Sequence, residues 1–191
     1  MTFSAVTDED LGARPERFLQ AARDLANETG SAAFTVAQVT AEAELSLKSF
    51  YRCFRGKDEL LLALIEADSR LGAEVLRARI GDRNGADGLH AYVTELFEML
   101  SLPGAVGYAG VLVREYLRLN EHYGEQQLAA LAPLLDLLAG QLDGEHPHRD
   151  ALTIFGVLLG GIHEVVLGRA TDPRELAEYL HDFCARGVRG R

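Results

Sequence analysis

The chain of 191 residues is predicted to be all-α, with a small amino-terminal three-helix unit of helix-turn-helix type ahead of a larger helical body. Three observations carry this. Apolar residues recur at helical spacing almost throughout, no segment keeps a two-residue alternation between turn residues, and glycines or prolines punctuate the pattern at Gly30, Gly56, Gly81 to Gly88, Pro103-Gly104 and Gly144 to Pro147. With 48% hydrophobic and 25% charged residues the chain can bury a core, which excludes a disordered tail.

The first helix is expected over Pro15 to Glu28, with Pro15 suited to its first turn, Phe18, Ala22, Leu25 and Ala26 facing inward, and Gly30 ending it. Thr35 and Gln38 have the spacing of a capping box and open the second helix, which turns Val36, Val39 and Ala43 inward. After the turn Glu44-Leu45-Ser46, Ser46 caps a third helix whose buried face is read as Leu47, Phe50 and Phe54. Gly56 is its expected left-handed stop. A fourth helix, Lys57 to about Arg79, aligns Leu60, Leu64, Ala67, Leu71 and Val75 and should bridge the two parts.

Beyond it, helices are expected through Leu89 to Leu100, from Val106 to Glu121, from Glu125 to Leu142, from Pro147 to Gly168 and from Pro173 to Arg186. The domains drawn from this are residues 13–59 and 60–191.

The net charge of −10 opposes nucleic acid overall, yet between Ser31 and Lys57 four cations face two carboxylates. Lys48 and Arg52 stand four apart and share a helix face, with Ser49 and Tyr51 beside them. Lys48 and Ser49 are assigned to base edges, and Thr35, Tyr51, Arg52 and Lys57 to phosphates, with Ser46 at the helix start. Lys57 opposes the macrodipole of the helix it opens, a cost of ~0.3–1 kcal/mol that a bound phosphate removes.

Cys53 and Cys184 lie far apart without metal-finger spacing and are read as free thiols of a reducing compartment. The acidic start of the chain lacks a secretory signal, and its longest apolar run, Ala151 to Ile162, is too short to span a bilayer, so the expected location is cytoplasmic. Catalysis is not expected, since phosphate-loop, dinucleotide-binding and nucleophile-elbow patterns are missing. Glu145, His146, His148 and Asp150 lack helical ligand spacing, so neither metal nor cofactor is predicted.

The run AELSLKSFYRCFRGKDELLLALI resembles the signature of the TetR family of bacterial transcriptional regulators, through Ser46, Phe50, Tyr51, Phe54, Lys57 and Asp58, over Phe18 to Ile65. The resemblance implies an amino-terminal DNA-binding domain and a carboxy-terminal domain that binds a small molecule and dimerises. Glu44 departs from the family pattern at a turn position where glycine is commoner, so the turn needs another device or strain. Cys53 replaces a usual His or Tyr, and the acidic stretch Thr7 to Asp10 offers no basic arm.

A small-molecule pocket is expected between helices of the carboxy-terminal bundle, with Tyr92, Phe97, Met99, Tyr108, Tyr116, Phe155 and His163 as lining candidates. Arg114 with Glu115 is a further polar pair there. The helix from Pro147 is apolar nearly all round and carries Gly156 and Gly160 four apart, so Ile154, Gly156, Val157 and Gly160 are assigned to a dimer interface. The resulting expectation is a homodimeric repressor that binds a palindromic DNA operator and is released by a small-molecule effector. Its alternative is a helical ligand-binding dimer with little specific DNA binding.

Overall fold

The structure, a computed structural model, describes residues 14–189; the acidic Thr7 to Asp10 stretch lies outside them. All regular structure among the described residues is helical: α1 Arg14–Thr29, α2 Val36–Glu42, α3 Leu47–Cys53, α4 Lys57–Ile80, α5 Gly85–Leu100, α6 Ala105–Ala139, α7 Pro147–Val166 and α8 Pro173–Arg189. The chain divides into two compact units, one ending at Leu64 and one starting at Ile65, with α4 passing from the first into the second.

In the first unit α1, α2 and α3 pack pairwise on one another. Phe18, Ala22, Ala26, Val39, Ala43, Phe50 and Phe54 are buried together with Leu60 and Leu64. Gly30 ends α1's run at φ 62°, a left-handed setting that glycine takes without steric cost. Leu47 corrects the sequence reading, because it is 49% exposed. It is the first residue of α3, one turn before Phe50, at the open end of the helix. Gly56 is a second correction: α3 closes instead with Phe54 in extended backbone, and Gly56 is not among the glycines of positive φ.

In the second unit α6 packs on α7, α5 on α8, and α7 on α8, with α5 also touching α6. The buried residues of α4 here are Ile65, Ser69, Ala73, Leu76 and Ile80, while Leu71 is 57% exposed, so the buried stripe runs a residue or two off the expected one. The two helices expected between Val106 and Leu142 are both present within α6, and they meet at a kink at Tyr123 (φ −131°, ψ 28°), inside the break that the sequence predicts. Gly124 follows the break, and Gln127, almost fully buried, donates its side-chain amide to the Tyr116 carbonyl across it. The chain turns between α5 and α6 through Gly104 at φ 79°.

Gly161 of α7 is buried where α7 meets its neighbours, with the site of a Cβ in contact with Leu180 of α8 and 2.9 Å from the Phe97 ring of α5. Gly161→Ala should therefore overpack this junction and lower stability by about 1–3 kcal/mol. Urea denaturation checks it; an unchanged midpoint would show that the junction can yield.

Candidate nucleic-acid interface

Two seven-residue helices, α2 and α3, form the face that the sequence singles out, and each is held at its start by a side chain. Thr35 Oγ1 accepts from the Gln38 backbone N–H at 3.2 Å, and Gln38 Oε1 accepts from the Thr35 N–H at 2.8 Å, so the predicted capping box is present. Ser46 Oγ accepts from the Ser49 N–H at 3.1 Å and pairs with the Ser49 hydroxyl at 3.0 Å. The Thr35 hydroxyl also donates to Gln38 at 3.0 Å. Thr35, Ser46 and Ser49 thus serve first as local caps.

The buried side of α3 is an aromatic cluster. Phe18 meets Phe50 edge to face at 5.4 Å and Phe54 at 6.3 Å, and Phe50 lies 5.5 Å from Phe54. Each such pair contributes about 0.5–1.5 kcal/mol beyond its buried area. The opposite side carries Lys48, Arg52 and Tyr51, all exposed, with the Tyr51 ring edge-on to Phe50 at 5.4 Å. Lys48, Tyr51 and Arg52 are therefore open to a partner, whereas Ser46 and Ser49 stand at the start of the same helix.

Lys57 is half-buried, with its Nζ 5.0 Å from the centre of the Phe34 ring. Asp58 and Glu59 share its turn of α4, and a Glu59 carboxylate oxygen accepts from the Arg55 backbone N–H. The negative charge sought for this helix start from the sequence is thus supplied by the chain itself. Lys57 needs no phosphate to sit there.

The turn between α2 and α3 is made with strain: Glu44 is the one non-glycine residue of positive φ among the described residues, at 52°. Arg17 of α1 anchors it, donating to the Ala43 carbonyl at 2.6 Å and standing 4.0 Å from the Glu44 carboxylate. Sequence reasoning missed Arg17 because its partner lies 26 residues away and no local pattern links them. Burial pushes the Cys53 thiol above the ordinary cysteine range, opposed by the nearby Arg14 charge. A thiol held protonated is a poor nucleophile, which weighs against a redox role.

The seven candidate pocket residues occupy several environments in the second unit. Tyr92 and Phe97 are fully buried and Phe155 nearly so; the Tyr92 hydroxyl donates to the Leu134 carbonyl at 3.2 Å and burial raises its pKa. Tyr108 donates to Asp68, and burial also raises the Tyr116 hydroxyl. Met99 and His163 are half-buried, and the His163 Nδ1 is sealed from solvent with no hydrogen-bond partner. Glu115 pairs with Arg118 at 2.7 Å. An open groove of about 570 Å³ lies elsewhere, between α7 and α8, lined in part by Ile154, Val157, Tyr179, Phe183 and Cys184. None of the seven lines it.

Of the residues assigned to a dimer interface, Gly156 and Gly160 are exposed with no atom within 4 Å of a Cβ placed on them, Val157 is half-buried, and Ile154 is buried along the groove.

Residues 18–64 match a family model described as bacterial regulatory proteins, tetR family, which bears out the resemblance read from Phe18 to Ile65. The fold is similar to that of a TetR transcriptional regulator from Rhodococcus sp. RHA1, at 18% identity and TM-score 0.74, over 91% of this chain and 94% of that one. It is also similar to the transcriptional regulator FadR from Bacillus subtilis in complex with stearoyl-CoA, at 18% identity and TM-score 0.70, over 91% and 98% of the two chains. A third is RolR in complex with resorcinol, at 18% identity and TM-score 0.63, over 95% and 90%. No curated protein sequence matches the chain.

Glu44→Gly should relieve the left-handed strain, ~1–2 kcal/mol, against ~0.5–1 kcal/mol for glycine's greater freedom when unfolded. The expected net gain is about 0.5–1 kcal/mol, read as a melting temperature higher by about 1–4 °C. A lower melting temperature would mean that Glu44 contributes more through Arg17 than its backbone costs.

Proposed function

We propose that this chain, whose amino-terminal region matches the tetR family, is a ligand-responsive transcription regulator. In this proposal it is a repressor that binds a palindromic operator as a homodimer and leaves it when a small molecule binds. The observation that carries the proposal is the α2–α3 pair of the matched segment, capped and seated on Phe18, with Lys48, Tyr51 and Arg52 exposed together. Such a pair places its second helix in the major groove, and two copies would present theirs roughly 34–36 Å apart, one turn of DNA. Lys48 and Ser49 are assigned to bases; Thr35, Ser46, Tyr51, Arg52 and Lys57 to the backbone.

The homodimer is supported by an apolar face in the second unit. Exposed Leu152, Gly156 and Gly160 follow one another along α7, and α8 exposes Tyr179 (67%) and Phe183 (59%) one turn apart. Large exposed apolar faces of this kind mark interaction sites, and the bare glycines permit close approach of a second helix. A small-molecule effector is supported by two proteins of like fold, FadR with stearoyl-CoA and RolR with resorcinol. We assign it to the second unit, where the candidate residues remain Tyr92, Phe97, Met99, Tyr108, Tyr116, Phe155 and His163. The working boundary stays at residues 59 and 60.

A second reading, a ligand-binding dimer with little specific DNA affinity, is favoured by the hydroxyls of Thr35, Ser46 and Ser49 being engaged in caps and by exposed Glu42 and Glu44 beside them.

A gel shift against the DNA flanking the protein's own gene separates the two. Specific binding should appear and weaken steeply with salt; Tyr51→Ala should weaken all sequences alike and leave the salt slope unchanged, while Lys48→Ala costs about 1–3 kcal/mol and relaxes base preference. Salt-insensitive or absent binding favours the second reading.

The dimer is checked by light scattering at micromolar concentration. Gly160→Leu should convert a dimer to a monomer of unchanged helicity, since no atom of the chain lies within 4 Å of the new side chain's Cβ. A wild-type monomer, or a dimer indifferent to Gly160→Leu, sinks this assignment.

A further inference from the structure

Three metal-ligating side chains converge between α5 and α8. His90 of α5 and Glu178 and His181 of α8 each offer one ligand atom, and these atoms all lie within 4.8 Å of one another. Glu178 and His181 are three residues apart on α8 and so share a face. His90 Nε2 stands 3.1 Å from both Glu178 carboxylate oxygens, and the His90 and His181 rings meet edge to face at 4.7 Å. The His181 side chain is only 15% exposed, and its Nδ1 lies 3.5 Å from the Asp182 carboxylate. Its Nε2 is sealed from solvent and has no hydrogen-bond partner.

An ordinary histidine–glutamate ion pair accounts for His90 and Glu178. It leaves the His181 Nε2 unexplained, and a buried polar atom without a partner costs about 1–3 kcal/mol. We propose that His90, Glu178 and His181 form a binding site for a divalent transition-metal ion of the zinc class. Two imidazoles and one carboxylate suit Zn²⁺ and its neighbours, whereas Mg²⁺ and Ca²⁺ take oxygen donors. Three protein ligands leave a tetrahedral position open for water or a further donor.

Around such an ion, with bonds of ~2.0–2.2 Å, ligand atoms stand about 3.4 Å apart, so the three must draw inward slightly. The His90 and Glu178 side chains, 44% and 59% exposed, have the freedom to do so, while His181 is the fixed member. The Asp182 carboxylate lies 3.5 Å from the His181 Nδ1, and the Nε2, sealed and without a partner, is the atom assigned to the metal. The ion would tie α5 to α8 across 88 residues of chain.

The test uses the full chain, freed of metal by chelator and titrated with Co²⁺ as a visible probe for zinc. Expected are one equivalent per chain, visible absorption of a low-symmetry site without a thiolate charge-transfer band, displacement by Zn²⁺, and a melting temperature raised by Zn²⁺ and unmoved by Mg²⁺. His90→Ala and Glu178→Gln should each weaken Co²⁺ binding by at least about tenfold, since losing a ligand exceeds the loss of an outer-shell partner. Glu178→Gln, at an exposed position, guards against misfolding, which the melting temperature in chelator monitors. No saturable Co²⁺ or Zn²⁺ binding at micromolar concentration, a thiolate band traced to Cys53 or Cys184, or affinity unchanged in both variants overturns the site.

Discussion

The amino-terminal unit depends on the seating of Phe50 between Phe18 and Phe54. Helices of seven residues do not persist alone, because nucleation fixes several residues before propagation repays it. The caps at Thr35 and Ser46 contribute about 1 kcal/mol each, while removing a buried phenylalanine costs about 3–5 kcal/mol. The aromatic seat therefore outweighs the caps in fixing α3. With Phe50 turned inward, Lys48, Tyr51 and Arg52 can only face out, and the same packing holds Glu44 in a conformation that its own side chain disfavours.

Legibility followed the range of the interaction. The capping box, the Ser46 cap and the end of α1 at Gly30 are set by neighbours within four residues, and the four-residue spacing of Phe50 and Phe54 marks one helix face, so the sequence displays them directly. Leu47 misled because apolarity was taken for burial at a helix's first residue, where a single position belongs to no established face. Gly56 misled because an extended Phe54 ends α3 without a left-handed residue. The break between Asn120 and Gly124 is legible and α6 kinks there at Tyr123, whereas the Gln127 side-chain bond to the Tyr116 carbonyl across it has no signal in the spacing. Arg17 on Ala43, and His90 with Glu178 and His181, are tertiary encounters for which no spacing in the chain gives notice.

Electrostatics around the reading face are more balanced than charge counting suggests. The local excess of cations includes Lys57, whose ammonium stands over the Phe34 ring in the same helical turn as Asp58 and Glu59. What is left to act outward is Lys48, Arg52 and Arg55, with Glu42 and Glu44 exposed on the preceding helix and turn. Phosphate contacts add affinity roughly in proportion to their number, so a face with three exposed cations has to rely on geometry and on a second copy more than on charge. Dimerisation would double the contacts without any change to the face itself.

That requirement throws weight on α8, which is burdened on every side. Its inner stripe of Ala177, Leu180 and Cys184 is buried in the second unit, while Tyr179 and Phe183 stand bare on another side. Between them lie Glu178 and His181 against His90 of α5. A helix whose inner face packs and whose outer face is aromatic is stable only if the inner contacts fix its rotation, since otherwise the aromatics would gain by turning inward. Gly161 lets Leu180 seat deeply and helps to fix that rotation. The histidine–glutamate cluster acts at the edge of the same helix, where a small shift in its roll would move Tyr179 and Phe183 together. Any ligand that bridges α5 and α8 at this edge therefore bears on the one face that a second copy of the chain would cover.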